Sequence, residues 1–116
     1  MRPMFEVDGV VRAPLSEVTD LVLTVHAQAV QPDGYQVHVD VDRDRRTLGV
    51  QGNWWYRGEY RLEPDPAGTR IVYSVFNVAK RGRALVPLAN KLFIGYRESM
   101  RRALAEMIRD LERKLA

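Results

Sequence analysis

Hydrophobic positions change their period along this chain, and each change marks an element. From Met4 to Arg12, Phe5, Val7, Gly9 and Val11 share one parity opposite Glu6 and Asp8. That alternation predicts a half-buried strand, which Ala13-Pro14 ends. Val18, Leu21, Val22 and Val25 then recur at i, i+3, i+4 and i+7, the spacing of one helical face, with Ser16 as the expected N-cap. The valines and threonines lower helix propensity here, and a short buried strand over Leu21-Val22-Leu23 is the alternative. Ala27 to Val30 extends the helical pattern by a turn, and Pro32-Asp33-Gly34 has the residues of a chain reversal.

From Tyr35 the period becomes two. Tyr35, Val37, Val39 and Val41 alternate with Gln36, His38, Asp40 and Asp42, predicting a strand with one wet face. Asp42 to Arg46 is its turn, a second strand runs to Gln51, and Gly52-Asn53 suits a two-residue hairpin. The clearest alternation follows, with Trp54, Tyr56, Gly58, Tyr60 and Leu62 opposite Trp55, Arg57, Glu59, Arg61 and Glu63. Arg57 and Glu59 are expected to point outward and pair across strands. Pro64 to Gly68 reads as a loop, and Thr69 to Ala79 as a long β-branched and aromatic strand at least partly covered on both faces.

Beyond Lys80 to Arg83 the pattern turns helical over residues about 85 to 114. Leu85, Leu88, Ala89, Leu92, Phe93, Tyr96, Met100, Ala103, Leu104, Met107, Ile108 and Leu111 form one stripe against a charged side. Pro87 fits the first turn of such a helix. Glu98 with Arg102 and Asp110 with Lys114 stand four apart in the favourable order. The order of elements predicts one α+β domain spanning 1–116. In it a curved antiparallel sheet of about five or more strands, with a short helix after the first, wraps a long C-terminal helix.

Composition narrows the chemistry. The 116 residues hold 46% hydrophobic and 28% charged side chains, enough for one core without metal or disulfide support. With no cysteine, a thiolate metal site, an iron–sulfur cluster and a cysteine nucleophile are excluded. The net charge of +3 arises from interleaved signs, a solvated surface rather than a nucleic-acid stripe. Apolar runs are short and the amino terminus leads straight into an alternating strand, so a soluble, cytoplasmic protein without an integral membrane segment is expected. Phosphate loops, His-x-x-x-His pairs, clustered carboxylates and nucleophile elbows are missing from the sequence. His26 and His38 are isolated from each other, so surface or capping roles are expected for them, with no metal and no cofactor.

Two segments carry a resemblance. Val11-Arg12-Ala13-Pro14-Leu15-Ser16-Glu17-Val18 is similar to the strand-to-helix entry of the START-like (SRPBCC) helix-grip superfamily. Gly58-Glu59-Tyr60-Arg61-Leu62-Glu63-Pro64, with Gly68-Thr69-Arg70-Ile71-Val72-Tyr73 and the terminal amphipathic helix, resembles polyketide cyclase/dehydrase-like members and those like the G-subunit of carbon monoxide dehydrogenase. Their order spans nearly the whole chain. The resemblance implies a helix-grip fold with a pocket between sheet and helix. The chain is expected to depart from the family in having five countable strands where six or seven are common, and in ending at the helix without the membrane-anchoring tail that some members like the G-subunit carry. A homodimer partner is one way of covering an exposed edge or pocket mouth.

Such a pocket is the usual setting for a small ligand. Its candidate lining is Trp54, Tyr56, Tyr60, Tyr73, Asn77, Leu92, Phe93 and Tyr96. The plainer alternative is that these aromatics fill the core. Gly95, within the helix, implies either a close approach or a tolerated imperfection. Asn77 shares the parity of Ile71, Tyr73 and Val75 and is a candidate to orient a ligand carbonyl, and the Tyr73 and Tyr96 hydroxyls are candidate donors to a ligand oxygen, but no catalytic set is recognisable. The leading expectation is therefore binding of a lipid, polyketide, isoprenoid or similar apolar molecule. A polyketide cyclase/dehydratase working by substrate orientation and a protein-interaction or assembly subunit with a filled core are the alternatives.

Overall fold

In the computed structural model, which describes residues 3–27, 38–51, 56–77 and 96–116, the first alternating segment forms strand β1 (Phe5–Val11). Pro14, with φ −61° and ψ 145°, then starts helix α1 (Leu15–Leu21), its carbonyl accepting from the Val18 N–H at 3.1 Å. Ser16 is thus inside the helix and not its N-cap. The locked φ of proline makes the corner two residues earlier than the serine suggested.

The helix continues as a π-helical turn, Val22–His26, in which the Ala27 N–H reaches the Val22 carbonyl. Thr24 Oγ1 donates to the Asp20 carbonyl at 2.6 Å, a back-bond that distorts helices. The wider winding carries Val25 out of line with Val18 and Val22. Val25 is 48% exposed, whereas Val18 and Val22 are fully buried and Leu23 and Ala27 nearly so. The helical expectation holds, with Val25 corrected to the surface.

Strands β2 (His38–Asp42), β3 (Thr47–Gln51), β4 (Tyr56–Asp65) and β5 (Gly68–Asn77) complete the sheet. Its order is β1-β5-β4-β3-β2 and every pairing is antiparallel, giving the curved five-stranded sheet expected of the α+β, helix-grip-like arrangement. The expected turn at Pro32 to Gly34, the strand residues 35–37 and the Gly52-Asn53 hairpin lie outside the described residues.

The β2–β3 turn closes between Asp42 and Thr47. Arg46 there has φ +53°, a left-handed conformation costing a non-glycine residue about 1–2 kcal/mol. Part of that cost is offset because Arg46 Nε donates to the Leu62 carbonyl at 3.1 Å and the Leu62 N–H donates to the Arg46 carbonyl at 3.0 Å.

The β4–β5 connection is tighter than the loop expected from Pro64 to Gly68. Pro64 pairs with Thr69 and Asp65 with Gly68, leaving Pro66 and Ala67 as the turn. Asp65 Oδ1 accepts from the Ala67 N–H at 2.9 Å, an Asx turn that substitutes for a longer loop. Gly68, at φ +143°, lies against the β1–α1 corner, where a Cβ would come 2.4 Å from the Val11 carbonyl oxygen. Thr69, fully buried, donates its hydroxyl to the Ala13 carbonyl at 2.9 Å.

The terminal helix, α2 (Tyr96–Leu115), lies on β1. A Cβ on Gly9 would sit 2.4 Å from Ile108 Cδ1. Glu112 Oε2 accepts the Arg12 N–H at 2.8 Å, fixing the helix end to the same corner. Met100, Leu104 and Leu111 are buried, and Met107, Ile108 and Leu115 pack against the core. Ala103, expected in the stripe, is exposed, being at the stripe's edge. Glu98 pairs with Arg101 at 2.8 Å rather than with Arg102, and Asp110 pairs with both Arg113 and Lys114. The helix start near Pro87 and Gly95 lie outside the described residues.

Candidate functional site

The register sorts the sheet into two chemically different faces. On the outer face, Asp40, Gly49, Glu59, Ser74 and Glu6 form one cross-strand row. Arg57 reaches across β3 to take Asp40 in a two-pronged bond at 2.9 and 3.0 Å, and also holds Glu59 at 2.8 Å and Gln51 at 3.2 Å. Hydrogen bonds from Arg57 hold the Asp40 carboxyl below its ordinary value, and the same bonds raise the Arg57 guanidinium. Ser74 donates to Glu6 at 2.8 Å, and Arg70 bridges Asp8 and Asp65. Arg57 and Glu59 point outward as expected; Arg57 pairs across strands with Asp40, its stronger partner, whereas Glu59 is held along its own strand by Arg57. This face is a self-paired ionic lattice.

The inner face is apolar and graded. Near the corner anchored by Thr69 and Glu112, Val11, Val18, Val22, Leu62 and Ile71 are 0–1% exposed. One row further on, Val7, Tyr73, Tyr60 and Leu48 are neighbours across four strands. Tyr60 and Tyr73 face each other in register, with ring centroids 4.5 Å apart and planes inclined by 22°. Offset stacking of this kind contributes about 0.5–1.5 kcal/mol beyond burial. The flanking Val7, Leu48 and Val75 are at most 4% exposed, yet both tyrosines remain half-buried.

Of the expected lining, the structure therefore brings Tyr60 and Tyr73 together. The strand register also sets Tyr56 opposite Asn77, four pairs beyond the tyrosines with the Gly58–Val75 pair midway. Tyr96 is the first residue of α2. The side chains of Tyr56, Asn77 and Tyr96, and the whole of Trp54, Leu92 and Phe93, lie outside the described residues.

Sequence reasoning missed a concavity elsewhere on the domain. An open cleft of about 390 Å³ lies between α1 and the β2–β3 turn, lined by Leu15, Ser16, Thr19, Asp20, Arg43 and Arg46. In the sequence the arginines read merely as the charged tip of a hairpin. The usable signal was an arginine at the last loop position, where the turn favours glycine or asparagine. Among the described residues no group of three histidines or carboxylates is disposed to hold a metal ion, and no helix is long and apolar enough to cross a membrane. His38 is exposed on the polar face, where its parity placed it.

No protein-family model matches the chain, and no curated protein matches it. Among solved structures, the crystal structure of TTHA0849 from Thermus thermophilus is similar, with a TM-score of 0.61 over 97% of this chain and 99% of that one, at 15% sequence identity. Likeness over nearly the full length of both chains, at so low an identity, establishes a shared fold and carries no activity with it.

Proposed function

We propose that this protein binds a small hydrophobic molecule, of the lipid, polyketide or isoprenoid class, between the inner face of its sheet and its C-terminal helix. The observation that carries the reading is the stacked Tyr60–Tyr73 pair, half-buried on a face whose neighbouring positions are sealed. In this reading the rings offer a ligand apolar area and the hydroxyls orient its polar end. The START-like resemblance of the Ala13-Pro14 entry and of the Gly58 to Tyr73 strands supports the same location.

The test is a thermal-shift titration with a medium-chain fatty acid, an isoprenoid alcohol and a bicyclic aromatic ketone, on the parent and on Tyr60→Leu and Tyr73→Leu. A ligand at about 100 times its Kd adds about 2.7 kcal/mol, which for a domain of this size raises Tm by about 10 °C. The reading expects such a rise with one class and its reduction in both variants. A flat response across the panel, or a rise that both substitutions leave intact, contradicts it.

A further inference from the structure

The cleft between α1 and the β2–β3 turn is separate from the tyrosine face and shares no residue with it. Its chemistry is also different. Leu15 gives it an apolar wall, while Ser16, Asp20, Arg43 and Arg46 give it polar ones. Arg46 occupies a left-handed position where glycine is the easier residue, with its backbone and Nε engaged by Leu62 on β4. Its two terminal amino groups have no partner among the described residues. The chain therefore sets a guanidinium at the cleft where turn geometry alone would favour having none.

Arg43 approaches Asp20 across the cleft at 3.6 Å, with both side chains more than half exposed. A pair so long and so wet is readily exchanged for a better acceptor. Thr19 Oγ1 is shielded and lacks a hydrogen-bond partner, so the accessible hydroxyl of the cleft is that of the exposed Ser16. From these placements we infer that the cleft is a binding site for a phosphate dianion, free or carried on a larger molecule. Arg43 and Arg46 clamp its oxygens, Ser16 donates to it, and the anion takes the place of Asp20 on Arg43. Two planar forks from one turn match the charge and spread of a dianion.

The experiment is a backbone-amide NMR titration of the full chain with inorganic phosphate, at constant ionic strength maintained with chloride and with acetate as comparator. Saturable shifts confined to residues 15–20 and 43–46 are expected, at least tenfold weaker with acetate. Arg46→Gly, which the φ of +53° accommodates, is expected to keep the fold and lose tenfold or more in affinity, with Arg43→Gln as a second probe. Asp20→Asn removes the competing carboxylate and is expected to tighten binding severalfold. Linear, unsaturated shifts, equal binding of acetate, or unchanged affinity in Arg46→Gly and Arg43→Gln would each overturn the assignment.

Discussion

The seating of α2 on β1 can be tested at one pair of residues, Gly9 and Ile108. A methyl group at Gly9 would lie 2.4 Å from Ile108 Cδ1, where carbon atoms in contact stand about 3.5–4.0 Å apart. Ile108 must leave its rotamer or α2 must lift, a cost of about 1–3 kcal/mol. Replacing glycine within a strand returns about 0.5–1 kcal/mol, so Gly9→Ala should destabilise by about 1 kcal/mol. Ile108→Val alone should also cost about 1 kcal/mol, for the lost methyl and the gap it leaves.

In the double variant the new methyl takes the place of the one removed. The next neighbours of that Cβ, Ile108 Cγ1 and Leu104 Cδ2, are both at 3.9 Å, an ordinary contact. The pair should then stand near the parent, about 2 kcal/mol better than the sum of the single changes. Urea unfolding of the four proteins reads this as a coupling of about 1 M in midpoint, since slopes for small domains are about 1–3 kcal/mol/M. Additivity within about 0.5 kcal/mol, or a stabilised Gly9→Ala, refutes the seating.

Three other expectations follow from the core and the surface lattice. Leu62→Ala, at a position 1% exposed, should cost about 2–5 kcal/mol in chemical unfolding. Gly68→Ala meets immovable backbone at φ +143° and should cost about 2–4 kcal/mol from strain and overlap, more than Gly9→Ala; a smaller loss than at Gly9 would contradict the β4–β5 tip geometry. Because Arg57 holds the folded Asp40 carboxyl below its ordinary value, its stabilisation is complete above the unfolded pKa of about 3.9 and is lost as pH falls through the folded one. Asp40→Asn should accordingly trail the parent by about 1 kcal/mol or less at neutral pH, and the gap should close as unfolding is followed into acid; a gap independent of pH would remove the Asp40 charge from the account.

The sheet was legible wherever one face is wet and the other dry. Tyr60, Leu62, Arg57 and Glu59 fall on their expected sides because period-two alternation survives any register. The α2 stripe was legible through Met100, Leu104 and Leu111, and failed at Ala103, whose small side chain carries no information about burial. Around α1 the reading lost phase, because the π turn after Leu21 rotates Val25 outward and no residue type signals that winding. The tight β4–β5 turn was overestimated since Pro64 looks like a breaker, though a proline can pair at its carbonyl. Of the site, the sequence offered the tyrosines by parity, but their direct opposition depends on the β4–β5 register. The α1 cleft depends on chain elements more than twenty residues apart, which no local pattern joins.

Occupancy of the tyrosine face is the central claim, and native mass spectrometry of the purified protein, followed by organic extraction, tests it most directly. The account predicts a near-stoichiometric apolar molecule in the native spectrum, released on extraction and diminished in Tyr60→Leu and Tyr73→Leu. A spectrum of bare protein that stays bare after incubation with the fatty acid, isoprenoid and aromatic panel would contradict it.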